Sequence, residues 1–175
     1  MTTRGEWIAA GIALLRDEGE DALTIERLCK RLDRTKGSFY HHFTDAGAFA
    51  DALLAHWLDA LTVRIIEQAE RGDDPRSALA RETRNVDVGL ELAIRAWSLR
   101  DPRARKVMAD VDARRVAYLE SLWRRSTTPA RARALAHIEY AAFVGAQQLY
   151  RDMGSRRVRE LERVAYEALD DFARK

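Results

Sequence analysis

A segment rich in hydrogen-bonding side chains lies between Thr35 and Phe43 and reads Thr-Lys-Gly-Ser-Phe-Tyr-His-His-Phe. Its first turn holds small, polar and cationic groups, and its last turn holds a phenol and two imidazoles. Such groups suit the major groove of DNA, which is about 12 Å wide and bordered by phosphates on both sides. The residue types therefore favour hydrogen bonding to a polyanion over catalysis.

Helical periodicity predicts that two helices precede this segment. Apolar residues spaced three and four apart place a first helix over residues 3–18, and Gly19 ends it. Thr24 then caps a second helix over residues 25–32. Residues 35–43 are therefore expected to follow two helices that can position them.

A very short connection joins the second helix to the third. Only Asp33 and Arg34 precede a third helix over residues 35–41, whose apolar anchors are Phe39 and Phe43. Two short helices joined by so tight a turn form a helix-turn-helix pattern. The second helix of such a pattern enters the major groove with its first residues at the base edges.

The stretch from Leu23 to Phe43, and Thr35–Phe43 above all, closely resembles the DNA-binding domain of the TetR family of bacterial repressors. The resemblance covers roughly the first third of the chain. It implies a helix-turn-helix DNA-binding domain over residues 1–44 and a helical effector-binding and dimerisation domain over residues 45–175. It also implies a double-stranded DNA operator and a small-molecule effector as partners.

Candidate DNA contacts follow from the residue types and from the resemblance. Lys36 can reach a guanine edge or a phosphate, and Gly37 lets the helix approach the bases without a side chain in the way. Tyr40 and His41 stand where members of the family hydrogen-bond the phosphate backbone, which sets register without reading sequence. The predicted DNA-binding residues are Thr24, Arg34, Thr35, Lys36, Gly37, Ser38, Tyr40, His41 and His42.

Two positions depart from the family pattern. Family members commonly have glycine where this chain has Asp33, which indicates a left-handed conformation at this position of the turn. Aspartate tolerates that conformation better than most residues. They also often have a phosphate-contacting lysine near Asp45 to Gly47, which this chain lacks. Arg4 or another amino-terminal cation is a candidate substitute.

The rest of the chain is predicted to be helical as well, which makes the fold class all-α: a three-helix DNA-binding domain followed by a helical bundle. Prolines at positions 75, 102 and 129 fall between helical stretches, and no stretch alternates as a strand does. The predicted helices cover about 45–70, 76–100 with a break near 85, 103–125, 130–152 and 155–173.

The last two predicted helices have broad apolar faces. Small residues such as Ala134, Ala141 and Gly145 allow a close approach of another helix, and Ile138 and Leu149 add larger packing groups. Together with the resemblance, these faces predict a homodimer held by an intersubunit four-helix bundle.

A sensing pocket is expected among the fourth helix, the helices around residues 97 and 108, and the penultimate helix. Its predicted lining is rich in aromatic and aliphatic side chains, which favours an apolar or aromatic effector. The candidate lining residues are Trp57, Leu61, Ile65, Trp97, Met108, Val111, Tyr140, Phe143 and Gln147.

Composition narrows the remaining choices. The formal net charge of +2 is too small to indicate a nucleic-acid partner by itself. A single cysteine, Cys29, and the lack of a signal-peptide core or of a membrane-spanning apolar run favour the cytoplasm. We expect no cofactor and no metal.

The sequence leaves three function classes to weigh. The first is a repressor released from a palindromic operator by an effector. The second is an enzyme or metal-binding bundle, but none of the four histidines has glutamate three residues before it, as di-iron bundles require. The third is a DNA-binding regulator without a small ligand, or a helical ligand-binding protein with a weakened DNA-binding domain. Activation in place of repression also stays open.

Overall fold

The computed structural model describes residues 2–174, and within them the chain forms ten α-helices and no strand. The predicted all-α class is therefore confirmed. The helices are α1 Arg4–Glu18, α2 Ile25–Leu32, α3 Lys36–Tyr40, α4 Ala46–Leu58, α5 Arg64–Glu70, α6 Pro75–Thr83, α7 Val88–Ser98, α8 Pro102–Trp123, α9 Pro129–Leu149 and α10 Arg156–Arg174.

The chain divides into two compact units. The first runs up to Ala60 and includes Gly89–Met108, while the second contains Leu61–Val88 and the chain from Ala109 onward. The first unit thus combines α1–α4 with most of α7 and the start of α8. A functional boundary at residue 44 stays a prediction.

The ends of α1 follow from capping residues. The Thr3 hydroxyl accepts from the amide of Glu6 at 3.2 Å, and the Glu6 carboxylate accepts from the amide of Thr3 at 2.6 Å, which completes a capping box. Gly19 ends the helix with a φ of 83°, as the sequence predicts.

Aromatic side chains form the centre of the first unit. The Phe39 ring lies 5.4 Å from the Trp7 ring and 5.8 Å from the Phe49 ring, centroid to centroid. The helices α1 and α4 approach closely because Gly11 has no side chain: a Cβ there would lie 2.4 Å from the Phe49 ring. The predicted anchors Phe39 and Phe43 are both buried in this cluster.

The predicted long helix over residues 45–70 is interrupted. A π-helical turn, Asp59–Val63, lies between α4 and α5. The guanidinium of Arg115 donates to the Leu61 carbonyl at 3.2 Å and to the Thr62 hydroxyl at 3.1 Å. Apolar spacing does not reveal such a turn, because one wider turn hardly alters the pattern of buried residues.

The second unit has a separate core of buried residues from α5, α6, α8, α9 and α10. Its largest member, Trp123, is 1% exposed, and its indole N–H donates to the Glu139 carboxylate at 2.6 Å. The buried members of this core are Ala69, Ala78, Tyr118, Leu119, Leu122, Trp123, Ala132, Leu135, Ala136, Tyr140 and Ala173.

In residues 2–174 no helix is long and apolar enough to cross a membrane.

Candidate nucleic-acid interface and cavity

The tight turn between α2 and α3 depends on one left-handed residue. Asp33 has φ 51° and ψ 55°, the conformation expected where family members carry glycine. The amide of Arg34 then donates to the Cys29 carbonyl at 2.9 Å and closes the end of α2. The aspartate therefore forms the turn that positions α3, and this prediction is confirmed.

Side-chain caps start both helices of the motif. The Thr24 hydroxyl accepts from the amide of Arg27, and the Thr35 hydroxyl accepts from the amide of Ser38, each at 3.3 Å. Thr24 and Thr35 are both exposed at the helix starts, where unpaired backbone amides can face an anion.

The first turn of α3 is open on its outer side. Lys36 and Gly37 are exposed, and Ser38 is half-buried. A Cβ on Gly37 would meet only the Thr35 hydroxyl, at 3.7 Å, so packing within the protein does not require glycine there. The small residue leaves room for a partner surface outside the protein.

Lys36 has an acidic neighbour that the sequence analysis did not identify. Its ammonium forms an ion pair with the carboxylate of Glu26 on α2. Hydrogen bonding to Glu26 raises the pKa of Lys36, and the same bond with Lys36 lowers the pKa of Glu26, so both groups are charged at neutral pH. The pair is exposed, so DNA phosphates can compete with Glu26 for the ammonium.

Tyr40 and His41 lie at the carboxyl end of α3 and are exposed. Tyr40 is 53% exposed although it is aromatic, and its ring packs edge-on against Phe39 at 5.6 Å. Its body is thus supported by the core while its hydroxyl faces outward. This arrangement suits hydrogen bonding to a phosphate.

Arg34 and His42 are engaged within the first unit. The Arg34 Nε donates to the Thr2 hydroxyl at 2.6 Å, and the His42 Nε2 lies 2.7 Å from the Thr2 carbonyl, to which it donates. Both side chains therefore hold the amino-terminal segment against the helix-turn-helix. Their predicted DNA contacts stay predictions.

A cation stands near the position of the missing family lysine, and it comes from a distant part of the sequence. Arg103 lies at the start of α8, and a Cβ on Gly47 would lie 2.8 Å from its Nη1. The pKa of Asp45 is lowered mainly by the hydrogen bond from the Ala48 N–H, and the charge of Arg103 lowers it further. The proposed substitute Arg4 instead lies over the Phe43 ring at 5.1 Å. Sequence spacing could not indicate Arg103, because more than fifty residues separate it from Gly47.

The second unit contains a cavity of about 630 Å³, a size typical of small-molecule sites. Four of the nine predicted lining residues, Leu61, Ile65, Tyr140 and Phe143, contribute to its wall. The Tyr140 hydroxyl donates to the Asp112 carboxylate at 2.6 Å and lies 3.4 Å from Nη1 of Arg115. The wall combines these apolar side chains with charged ones, among them Arg76 and Glu139.

The other five predicted lining residues lie elsewhere. Trp57, Trp97 and Met108 are buried in the first unit, whereas Val111 and Gln147 are buried in the second unit outside the cavity lining. Apolar periodicity identified these side chains as buried, but it could not distinguish the wall of a cavity from a packed core. Over residues 2–174, no cluster of three or more His, Cys, Asp or Glu side chains could hold a metal ion.

An exposed, donor-rich helix that follows a tight left-handed turn is typical of DNA-binding proteins of the helix-turn-helix class. Residues 8–53 match the model of the bacterial regulatory proteins of the tetR family. This match supports a DNA-binding regulator, and it covers the amino-terminal part of the chain and nothing beyond residue 53.

Solved structures share the fold along the whole chain. The TetR transcriptional regulator from Legionella pneumophila is similar with a TM-score of 0.78 at 11% identity, over 99% of this chain and 98% of that one. The reduced form of E. coli NemR has a TM-score of 0.76 at 23% identity, over 98% of each chain. BioQ, solved with its double-stranded DNA operator, has a TM-score of 0.54 at 22% identity, over 98% of this chain and 99% of that one. A search of curated proteins found no significant match.

Proposed function

We propose that this regulator is a repressor that binds a palindromic operator as a homodimer and is released by a small effector with an apolar body. The observation that carries the proposal is the combination of an outward-facing recognition helix in one unit with a cavity of about 630 Å³ in the other. The first supplies DNA binding, and the second supplies a site through which a ligand can change it.

The recognition helix α3 reads DNA through the side chains of its exposed first turn. Lys36 contacts a base edge or phosphate, Gly37 permits close approach, and Tyr40 and His41 bind phosphates. We add Arg103 as a phosphate contact in place of the missing lysine. Contacts to phosphate set orientation, so sequence preference rests mainly on the first turn of α3.

Homodimerisation is supported by apolar side chains left exposed on the last two helices. On α9, Ile138 is 54% and Leu149 is 75% exposed, and on α10, Val164 is 50% and Phe172 is 54% exposed. The added Cβ at Gly145 would meet nothing within 4 Å, so another helix can approach α9 closely there. Large apolar side chains left exposed on two successive helices support an interaction site there.

A dimer is also what operator recognition needs. Two half-sites of a palindrome lie about 34 Å apart, and each requires its own recognition helix. An effector that favours a different separation of the two helices would release the operator. A coupling of about 1–3 kcal/mol between the two sites is ordinary for such a switch.

The experiment that tests the proposal is a fluorescence-anisotropy titration of the protein against the DNA upstream of its own gene, with scrambled DNA as the control. A specific dissociation constant of roughly 10⁻⁸ to 10⁻¹¹ M is expected. Lys36→Ala should weaken this binding, with the fold checked by circular dichroism. Wild-type affinity in Lys36→Ala would show that α3 is not the reading helix.

A second candidate function is a DNA-binding regulator that responds to no small molecule. The observation favouring it is that charged side chains, including Arg76 and Glu139, stand within the cavity wall. A ligand panel distinguishes the two, because a compound that binds only the folded state stabilises it by RT ln(1 + [L]/Kd) and so raises the melting temperature. Equal, weak binding to operator and scrambled DNA would instead favour a ligand-binding protein with a weakened DNA-binding domain.

A further inference from the structure

The three acidic groups in the cavity wall are already occupied or disfavoured as anions. Asp74 caps α6 by accepting from the amide of Ser77 at 3.1 Å. Glu139 accepts from Arg76 at 2.9 Å and from the Trp123 indole at 2.6 Å. Burial raises the pKa of Glu162 despite the opposing charges of Arg84 and Arg159. The wall therefore offers little to a cationic ligand.

Arginine groups in the same wall have donor capacity left. Nη2 of Arg76 is buried and has no hydrogen-bond partner within the part of the chain that the structure describes. Nε of Arg84 is likewise buried without one among residues 2–174, and its nearest carboxylate oxygen, on Glu162, lies 3.8 Å away. A buried donor without an acceptor costs free energy, which a ligand with an acceptor group can recover.

The position of Arg76 is set by aromatic rings. Its guanidinium carbon lies 4.3 Å from the centroid of Trp123 and 4.8 Å from that of Tyr166, and these two rings stack at 5.6 Å. With Nη1 bonded to Glu139, the group presents Nη2 in one orientation. Apolar side chains of the lining, such as Ile66, Leu79 and Phe143, provide a surface for the remainder of a ligand.

We infer that the effector is an organic acid: an aromatic or aliphatic body in the cavity with one carboxylate bound to Arg76. The carboxylate pairs with the guanidinium of Arg76 in a charge-assisted interaction. The aromatic or aliphatic body is buried against the apolar wall. This inference rests on the proposed effector site and adds the chemical class of its ligand.

The test compares two probes of nearly the same shape, the anion 2-naphthoate and the neutral 2-naphthamide, by isothermal titration calorimetry on the full chain. Wild-type protein should bind the acid about tenfold or more tightly than the amide, as the loss of a charged hydrogen bond predicts. Arg76→Met should bring the two affinities together. The matched control is Arg81→Met, because Arg81 is an exposed arginine on the same helix and lies outside the cavity lining. This variant should keep the preference for the acid over the amide.

Arg76→Lys guards against a folding defect in Arg76→Met, because it keeps the positive charge beside Glu139. It should retain a reduced preference for the acid. Equal binding of acid and amide to wild type, or a preference that survives Arg76→Met, would overturn the inference while leaving an apolar effector site in place. If neither probe binds, the inference is also overturned, and the operator titration then decides the proposed function independently.

Discussion

The Lys36 ammonium at the start of α3 is hydrogen-bonded to the Glu26 carboxylate on α2. Lys36, the residue proposed to read DNA, therefore has its charge partly neutralised by a carboxylate of its own protein. Binding to phosphate or to a guanine must compete with this carboxylate. An exposed ion pair contributes little to stability, so its main effect here is on DNA affinity.

Removing the carboxylate should strengthen DNA binding. Glu26→Gln keeps the shape of the side chain but frees the Lys36 charge, and we expect about a two- to tenfold gain in affinity, larger for scrambled DNA than for the operator. Anisotropy titrations at several salt concentrations measure both. Glu18→Gln is the matched control, because Glu18 pairs with Arg27, away from α3. An unchanged affinity in Glu26→Gln would show that the pair does not influence binding.

The exposed Tyr40 hydroxyl provides a prediction about phosphate contact. Tyr40→Phe keeps the ring against Phe39 and removes one hydrogen bond, so DNA binding should weaken by about 1 kcal/mol at an unchanged melting temperature. His42→Ala should differ, because His42 holds Thr2, and its loss should loosen the amino-terminal segment as well. A lower melting temperature in Tyr40→Phe would mean that the hydroxyl has a structural role instead.

Arg103 is predicted to replace the missing family lysine as a phosphate contact. Arg103→Met should weaken binding to the operator and to scrambled DNA by similar factors. It should also reduce the slope of log affinity against log salt by about 0.9, as expected for one lost phosphate contact. The control Lys106→Met removes an exposed cation from the same helix. If both variants shift the slope equally, the effect is one of general charge and the specific contact is refuted.

The exposed apolar side chains of α9 allow a test of the proposed dimer interface. Ile138→Asp should raise the dimer dissociation constant by about tenfold or more and lower operator affinity with it, because a buried unpaired carboxylate is costly. Analytical ultracentrifugation measures the dimer. Leu99→Asp is the control, since Leu99 is 78% exposed and lies outside the last two helices. A fully dimeric Ile138→Asp would place the interface on another surface.

Glu162 allows a prediction of pH dependence. Burial raises the pKa of Glu162, so the folded state favours the protonated carboxyl group. The stability that Glu162 contributes is therefore present at low pH and is lost as the pH rises through its pKa in the folded state. Glu162→Gln stays neutral, and its melting temperature should exceed that of wild type near about pH 7 but match it near about pH 4. A destabilised variant at neutral pH would indicate that attraction to Arg84 and Arg159 outweighs burial.

Several elements could be predicted because their determinants are local. The spacing of apolar residues and the cap at Thr24 predicted the helices, and the Thr24 hydroxyl makes the expected bond to a helix amide. Asp45 caps α4 in the same way. The left-handed conformation of Asp33 also followed from a position in the family pattern where only a few residue types are tolerated.

Features that depend on distant residues could not be predicted in the same way. The ion pair of Lys36 with Glu26 crosses from one helix to another, and Arg103 reaches Gly47 from a different part of the chain. The lining of the cavity was only partly predicted, because a buried aromatic residue has the same helical spacing whether it faces a void or a packed neighbour.

The sequence by itself determined the class of fold and the bounds of the helix proposed to meet DNA, because capping, turn geometry and apolar periodicity act over a few residues. Tertiary structure alone decided which charges stand beside that helix and which arginines have donors left in the cavity. Those properties depend on side chains brought together from separate helices, and their energies depend on burial that no spacing along the chain reveals.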